Sequence, residues 1–177
     1  LGNIPDFSLD YLNFAEVEIW KTGRLRQAFQ NFENNATELQ INNFDHWCIS
    51  QAFWLDYFAT FASMKIISGG LIWSEWPEKW RLRESKEIQL FRENHGLEIS
   101  FHKFVQWQFF KQWSSLRKYA NQQGIKIIGD LPIFVAYDST EVWANPELFE
   151  LDENQQLSAV AGVPPDYFSE TGQHWGN

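Results

Sequence analysis

The residues best placed to do chemistry are four carboxylates in the last third of the chain: Asp130, Asp138, Glu141 and Asp166. Asp130 follows a short apolar run, Ile125 to Ile128, that breaks at Gly129-Asp130 and passes into Leu131-Pro132. A carboxylate where a buried strand ends, followed by long loops, is how α/β enzymes present a site. Asp166 stands between Pro164-Pro165 and Tyr167-Phe168, with Gln173 and Trp175 close behind. Stiffly held acids among rings offer hydrogen bonds to hydroxyl groups and flat apolar faces, the two things a carbohydrate site needs. Asp138 and Glu141 have a plainer reading, because D-x-x-E ahead of Val142-Trp143 spells a capping box. The competing reading of the whole stretch is a set of ordered turns.

Other chemistries fail on spacing. No glycine-rich phosphate loop and no dinucleotide-binding glycine fingerprint occurs. His46, His95, His102 and His174 are scattered, and the sequence offers no metal-binding histidine or cysteine pair. Asp152-Glu153-Asn154 begins like a calcium loop, but Leu157 and Val163 occupy the places of its glycine and its bidentate glutamate. A hairpin turn between Leu148–Leu151 and Leu157–Val160 fits better. The net charge of −9 argues against nucleic acid, which requires clustered Lys and Arg. Cys48 is the single cysteine, so no internal disulfide forms, as suits a reducing compartment. With no secretory pattern and no run long enough to span a bilayer, the expectation is a cytoplasmic protein without a membrane partner. The sequon Asn35-Ala36-Thr37 is read as chance.

The elements that must position these residues are mostly helical. Within 177 residues, 44% are hydrophobic, including ten Trp and sixteen Phe, enough for a real core. Leu1 to Asp10 reads as extended, and Leu1-Gly2-Asn3-Ile4-Pro5 as the tail of a preceding loop. Tyr11 to about Phe32 is helical, with Ile19, Leu25, Ala28, Phe29 and Phe32 near one face. Asn34 to Asn43 is polar and reads as a loop or frayed helix end. Trp47 to Ile66 is apolar almost all round, as in a helix buried on several sides and closed by Gly69-Gly70. Trp73, Trp76, Pro77 and Trp80 lie beside Arg81 and Arg83. Such a cluster either stacks on a ligand or, as is commoner, packs a connector onto the body. Ser100 is the expected N-cap of a helix to about Gln123, striped by Phe101, Phe104, Val105, Phe109, Trp113, Leu116 and Ala120, with Gly124 at its C′ position. A long helix, a glycine break and a buried-type strand together suggest an α/β protein with a parallel sheet.

The run GDLPIFVAxDSxxVWANPELFxLD, continuing into VAGVPPDYFSxTGQxWGN, resembles the signature region of the 4-α-glucanotransferases (amylomaltases or disproportionating enzymes, glycoside hydrolase family 77). FWLDYFATF, WSEWPEKWR and FVQWQFFKQWSSLRKYA resemble that family too, so the likeness covers nearly the whole chain. It implies part of a (β/α)8 TIM barrel with a large helical insertion, mostly helical within this chain. Residues 1–123 would form the helical insertion and scaffold, and 124–177 a barrel strand with the substrate-site loops. It also implies transfer of α-1,4-glucan segments between maltooligosaccharides by a retaining, two-carboxylate mechanism that needs no cofactor.

Carried over by position, Asp130 resembles the strand-end aspartate that hydrogen-bonds a glucose ring at the cleavage subsite. Pro165, Asp166, Tyr167 and Phe168 match the flexible loop that covers the donor and acceptor cleft. Gln173, Trp175 and Gly176 match the segment that lines the subsites after it. Tyr137 carries no role. The family's nucleophile, acid/base and third essential acid lie in later barrel strands and have no counterpart here. The chain therefore reads as an internal piece of such an enzyme, with no catalytic residue of its own and, as an isolated fragment, no activity. The alternatives are a non-catalytic glucan-binding module and a helical interaction fragment.

Overall fold

The computed structural model describes residues 4–8 and 10–175. Helix α1 (Phe14–Asn35) starts three residues later than the apolar pattern suggests, because the Asn13 side chain accepts from the Glu16 amide and sets the cap. Helix α2 (Glu38–Ser50) overturns the expected loop over 34–43. Thr37 and Gln40 form a reciprocal capping box, each side chain accepting from the other's backbone N–H, and this nucleates a helix in a polar stretch. The same contact explains Thr37 without glycosylation. The expected single helix over Trp47–Ile66 is two, since the chain breaks at Gln51 before α3 (Ala52–Ile67).

Helix α3 is buried on several sides, as its composition requires, and packs against α2 and the later helices α6 (Gly96–Gln122) and α7 (Thr140–Ala144). Thr60 and Ser63 are fully buried, and their hydroxyls donate to the Asp56 and Ala59 carbonyls, both at 2.7 Å. A hydroxyl satisfied one turn back can sit in an apolar core without an unmet hydrogen bond. Gly69 and Gly70 then take left-handed φ values of 72° and 87°, which ends the helix.

Helices α4 (Glu78–Arg81) and α5 (Ser85–Asn94) lead into α6 (Gly96–Gln122). The N-cap of α6 is His95, not Ser100, which lies a full turn inside the helix. His95 packs on Phe91, one turn back in α5, with ring centroids 4.5 Å apart, and its carbonyl accepts from the Ile99 amide, so α6 starts directly off the end of α5 without a capping side chain. The C-terminus is as expected. Gly124 has φ 76°, with Gly124 N–H bonded to the Asn121 carbonyl and Ile125 N–H to the Ala120 carbonyl, a Schellman ending. Only the first half of the predicted α6 stripe is buried: Phe109 and Leu116 are exposed, while Trp107 is buried instead.

Two cores result. Phe29 of α1 meets Phe101 and Phe104 of α6, and Phe32 and Phe44 extend the aromatic stack to Trp107, with centroid spacings between 5.1 and 5.7 Å. At its edge Arg26 lies over the Phe101 ring and pairs with the Glu98 carboxylate, whose Oε1 is 3.2 Å from His102 Nε2. The second core joins α3, α5 and the connector after α3 to Tyr137 and to Val142 and Trp143 of α7 (Thr140–Ala144). Trp73 and Trp143 are fully buried and Trp76 is 3% exposed, so the tryptophan cluster packs the connector onto the body and is not a ligand platform.

The run Ile125–Ile128 does not pair into a sheet; it is extended and exposed, Ile128 to 92%. A mainly apolar strand of the buried type is stable only when other strands satisfy its backbone on both sides and helices cover its faces. Among the described residues the sheet structure is one antiparallel pair, β1 (Gly162–Val163) with β2 (Gln173–His174), and a single bridge between Leu151 and Leu157. None of the described helices is long and apolar enough to cross a membrane.

Two outcomes follow from this packing. Asp138 accepts from Lys65 Nζ at 2.6 Å and from the buried Trp73 backbone N–H at 3.2 Å. Asp138→Ala strands that N–H and is expected to cost about 2 kcal/mol in urea denaturation, with a loss under ~0.5 kcal/mol showing the contact to be dispensable. The α1–α6 pair predicts the acid limb of stability. Burial lowers the His102 pKa below 6.5, against the opposing pull of Glu98. Burial raises the Glu98 pKa, but the Arg26 hydrogen bond and charge outweigh it, and the net shift is below 4.5. Both groups bind protons more readily unfolded, so each stabilises above its unfolded value and loses that contribution as pH falls through its folded one. The thermal midpoint should decline below pH ~6.5 and again below ~4.5, with His102→Gln abolishing the upper part of the slope.

Candidate functional site

The candidate site is built on loops from Ile133 to Trp175, and each loop is tied down by side chains. Ser139 caps α7, its Oγ accepting from the Val142 amide at 3.4 Å. The expected capping box of Asp138 and Glu141 does not form, because Asp138 is drawn one step back to Lys65 and Trp73. Ser139 is an equally good capping residue by type, and only the pull of the charged partner decides between them. Beyond α7, Pro146–Leu148 makes a single 3-10 turn, so the expected hairpin over Leu148–Leu151 and Leu157–Val160 is reduced to the Leu151–Leu157 bridge. In its turn, Asp152 Oδ1 accepts from the Asn154 and Gln156 amides, both at 2.8 Å, and Gln155 adopts φ 63°. Asp152 therefore closes a turn, as the hairpin reading requires. Tyr137 Oη donates to the Gln155 carbonyl at 2.6 Å and holds this turn against the core.

A cleft of about 600 Å³ lies between α7 and these loops, lined by Phe134, Tyr137, Glu141, Asn145, Phe149 and Leu157 among others. The edge of Phe134 meets Trp175 at a centroid distance of 5.8 Å, placing Trp175 beside the cleft. Trp175 is held by its backbone N–H to the Ala161 carbonyl at 2.8 Å and by its indole N–H to Gln173 Oε1 at 3.1 Å. Gln173 and Trp175 thus act together, the amide orienting the ring.

Strands β1 and β2 pair Gly162 with His174 and Val163 with Gln173, forming the neck of a loop over 164–172. Two glycines make the neck possible. A Cβ on Gly162 would collide with the Gln173 carbonyl, and one on Gly172, at φ 74°, would come within 2.6 Å of the Val163 carbonyl. At the tip Tyr167 and Phe168 are 96% and 88% exposed and pack edge to face, 5.5 Å apart at 89°. Pro165 and Asp166 precede them, and Asp166 Oδ1 accepts from the Phe168 amide at 2.9 Å and the Ser169 amide at 2.8 Å.

The sequence-derived residues therefore fall into three groups. Trp175 meets the cleft-lining Phe134 and Gln173 bonds the Trp175 indole, while Pro165, Asp166, Tyr167 and Phe168 form the projecting loop. Asp130 lies on the exposed extended segment that leads into Ile133 and, among the described residues, forms no hydrogen bond with either group. Gly176 lies outside the described residues. Two contributors were missed: Phe134, which joins Trp175 to the cleft, and Tyr137, which carries no role in the sequence reading yet anchors the Gln155 turn. An aromatic pair flanking Val135-Ala136 just after Pro132 was the only local signal for them.

With this geometry in hand, the relatives are informative. The family model for 4-alpha-glucanotransferase matches residues 3–177. A 4-alpha-glucanotransferase from Thermus thermophilus is 45% identical over 173 residues, covering 98% of this chain and 35% of the relative. One from Synechocystis sp. is 39% identical over 178 residues, covering 100% and 35%. The solved amylomaltase from Streptococcus agalactiae in complex with acarbose superposes with a TM-score of 0.86 at 38% identity, over 94% of this chain and 33% of that one. The chain thus spans about a third of the length of the curated relatives it matches. A match over almost every residue, with the fold preserved at this level, is sufficient: the chain belongs to the 4-alpha-glucanotransferase family.

Proposed function

We propose that the protein bearing this sequence is a 4-α-glucanotransferase. It moves α-1,4-glucan segments from a donor to an acceptor maltooligosaccharide by a retaining double displacement, as part of a (β/α)8 barrel that the exposed run Ile125–Ile128 helps to build. The observation that carries the reading is the pair of bare rings at the tip of the 164–172 loop. Tyr167 and Phe168 expose 96% and 88% of their surface while the loop beneath them is hydrogen-bonded into one shape. Rings presented to water on a hydrogen-bonded turn gain by covering the apolar face of a sugar, and each bond that shapes the turn beforehand lowers the ordering entropy lost on binding.

Each group then has a part. Asp130, on its extended segment, accepts hydrogen bonds from glucose hydroxyls at the cleavage subsite. Trp175, oriented by Gln173 and backed by Phe134, lines the subsites below the loop. Tyr167 and Phe168 cover the bound chain from above, with Pro165 and Asp166 at the base of the tip. Covering the site favours transfer over hydrolysis, because an acceptor sugar must reach the glycosyl intermediate before water does. The nucleophile and the acid/base are supplied from outside these residues, and no cofactor takes part.

Two results test this. In the whole enzyme, Asp130→Ala is expected to lower kcat/KM for disproportionation of maltotriose by roughly ten- to a hundredfold, the worth of a hydrogen bond to a charged group. An unchanged value removes Asp130 from the site. The 177-residue chain by itself is expected to release no glucose from maltotriose. Release above a blank would place catalytic carboxylates among the residues described here.

A further inference from the structure

The acid that the sequence singles out beside the two bare rings has its own bonding in the loop, and that bonding does not point at a ligand. Asp166 Oδ1 accepts two backbone N–H groups, from Phe168 at 2.9 Å and from Ser169 at 2.8 Å. The Asp166 N–H donates to the Ser169 carbonyl at 2.9 Å, so side chain and backbone of one residue both grip the same neighbour. Ser169 continues the chain of bonds: its Oγ donates to the Gly172 carbonyl at 2.7 Å, and the Gly172 N–H returns to the Ser169 carbonyl at 3.2 Å. Gly172 then meets the neck, where its φ of 74° and the closeness of the Val163 carbonyl leave no room for a side chain. The tip is thus locked from Asp166 through Ser169 to Gly172, with the two aromatic residues inside the lock.

Side-chain acceptors that close a turn on amides two and three residues ahead work as well with an amide oxygen as with a carboxylate, because the geometry needs one oxygen and no charge. A carboxylate that recognises hydroxyls of a glucan uses its charge, and the neutral amide is a poorer substitute.

We infer that Asp166 and Ser169 are positioning residues: together they fix the turn that presents Tyr167 and Phe168 to the glucan, and Asp166 is not itself a sugar ligand. The assignment rests on the glucan-binding reading of this loop. It gives the loop a division of labour in which the polar residues hold the shape and the rings make the contact. It also makes Asp166 a determinant of specificity, since the angle at which the rings meet the chain decides which acceptor is held long enough to displace the enzyme.

The test uses the whole enzyme, with Asp166→Ala, Asp166→Asn and Ser169→Ala. Hydrogen exchange of the 164–172 segment at short labelling times reads the turn, and maltotriose disproportionation reads its use. Asp166→Ala is expected to speed exchange at the Phe168 and Ser169 amides and to raise KM roughly tenfold with little change in kcat, the scale of losing two hydrogen bonds. Asp166→Asn is expected to stay within about twofold of wild type in both, because its amide oxygen rescues the turn. Ser169→Ala is expected to give a weaker version of the alanine result. The inference is overturned if Asp166→Asn loses as much activity as Asp166→Ala while exchange is unchanged, which makes the acid a direct ligand. It is equally overturned if Asp166→Ala leaves exchange at wild-type rates, or speeds exchange without touching KM. A wild-type enzyme that moves no glucan from maltotriose sinks the proposed function instead, and the exchange arm still decides whether Asp166 and Ser169 hold the turn.

Discussion

The structure depends on a small set of hydrogen bonds that tie the loop region to the helical scaffold. Trp73 Nε1 donates to the Tyr137 carbonyl at 2.8 Å and Trp143 Nε1 to the Trp80 carbonyl at 3.0 Å. Arg83 donates to the Trp143 carbonyl, and Asp138 takes Lys65 and the Trp73 amide. Residues 71–83 and 137–143 are thereby laced together around two fully buried indoles, each with its polar edge satisfied. Segments with so little regular secondary structure could not hold a position by backbone bonding alone. Burial pulls down the pKa of the Arg83 guanidinium, against the pull of Glu147, as expected for a charge spent on fixing a loop.

From that anchor the position of the site is passed outward in short steps. Tyr137 reaches the Gln155 carbonyl and steadies the turn closed by Asp152. Ala161, past that turn, receives the Trp175 amide, and β1 and β2 carry the neck of the projecting loop. Each step is a bond between a side chain or a strand end and a backbone group, which is how irregular segments meet their polar requirements without a sheet. The exposed rings at the tip are therefore several rigid links away from the core, yet still referred to it.

The helical half was largely legible in the sequence. The all-round apolar character of α3, the glycines that end α3 and α6, and the packing use of the tryptophan connector all follow from residue type and spacing. The misplaced caps of α6 and α7 share one cause. Ser100, Asp138 and Glu141 are good capping residues in isolation, but His95 is seated on Phe91, and Asp138 is claimed by a lysine 73 residues away. Thr37 was overlooked as a cap because its surroundings are polar, although its partner Gln40 stands at the right spacing. Local rules rank the candidates, and a distant charge or a ring one turn back chooses among them.

What the sequence determined by itself was the family, the mainly helical scaffold, and several of the residues gathered in the loops between Ile133 and Trp175, because these rest on residue identity along a continuous run. The tertiary structure decided which of those residues stand together. Gln173 with Trp175, Tyr167 with Phe168, and Phe134 against Trp175 are contacts of geometry that no spacing rule contains. It also decided that Ile125–Ile128 stays an exposed extended run, since a buried parallel strand exists only when neighbours complete its hydrogen bonds. A side chain's chemistry is written in the chain, but its partner is set by which surfaces burial brings into contact.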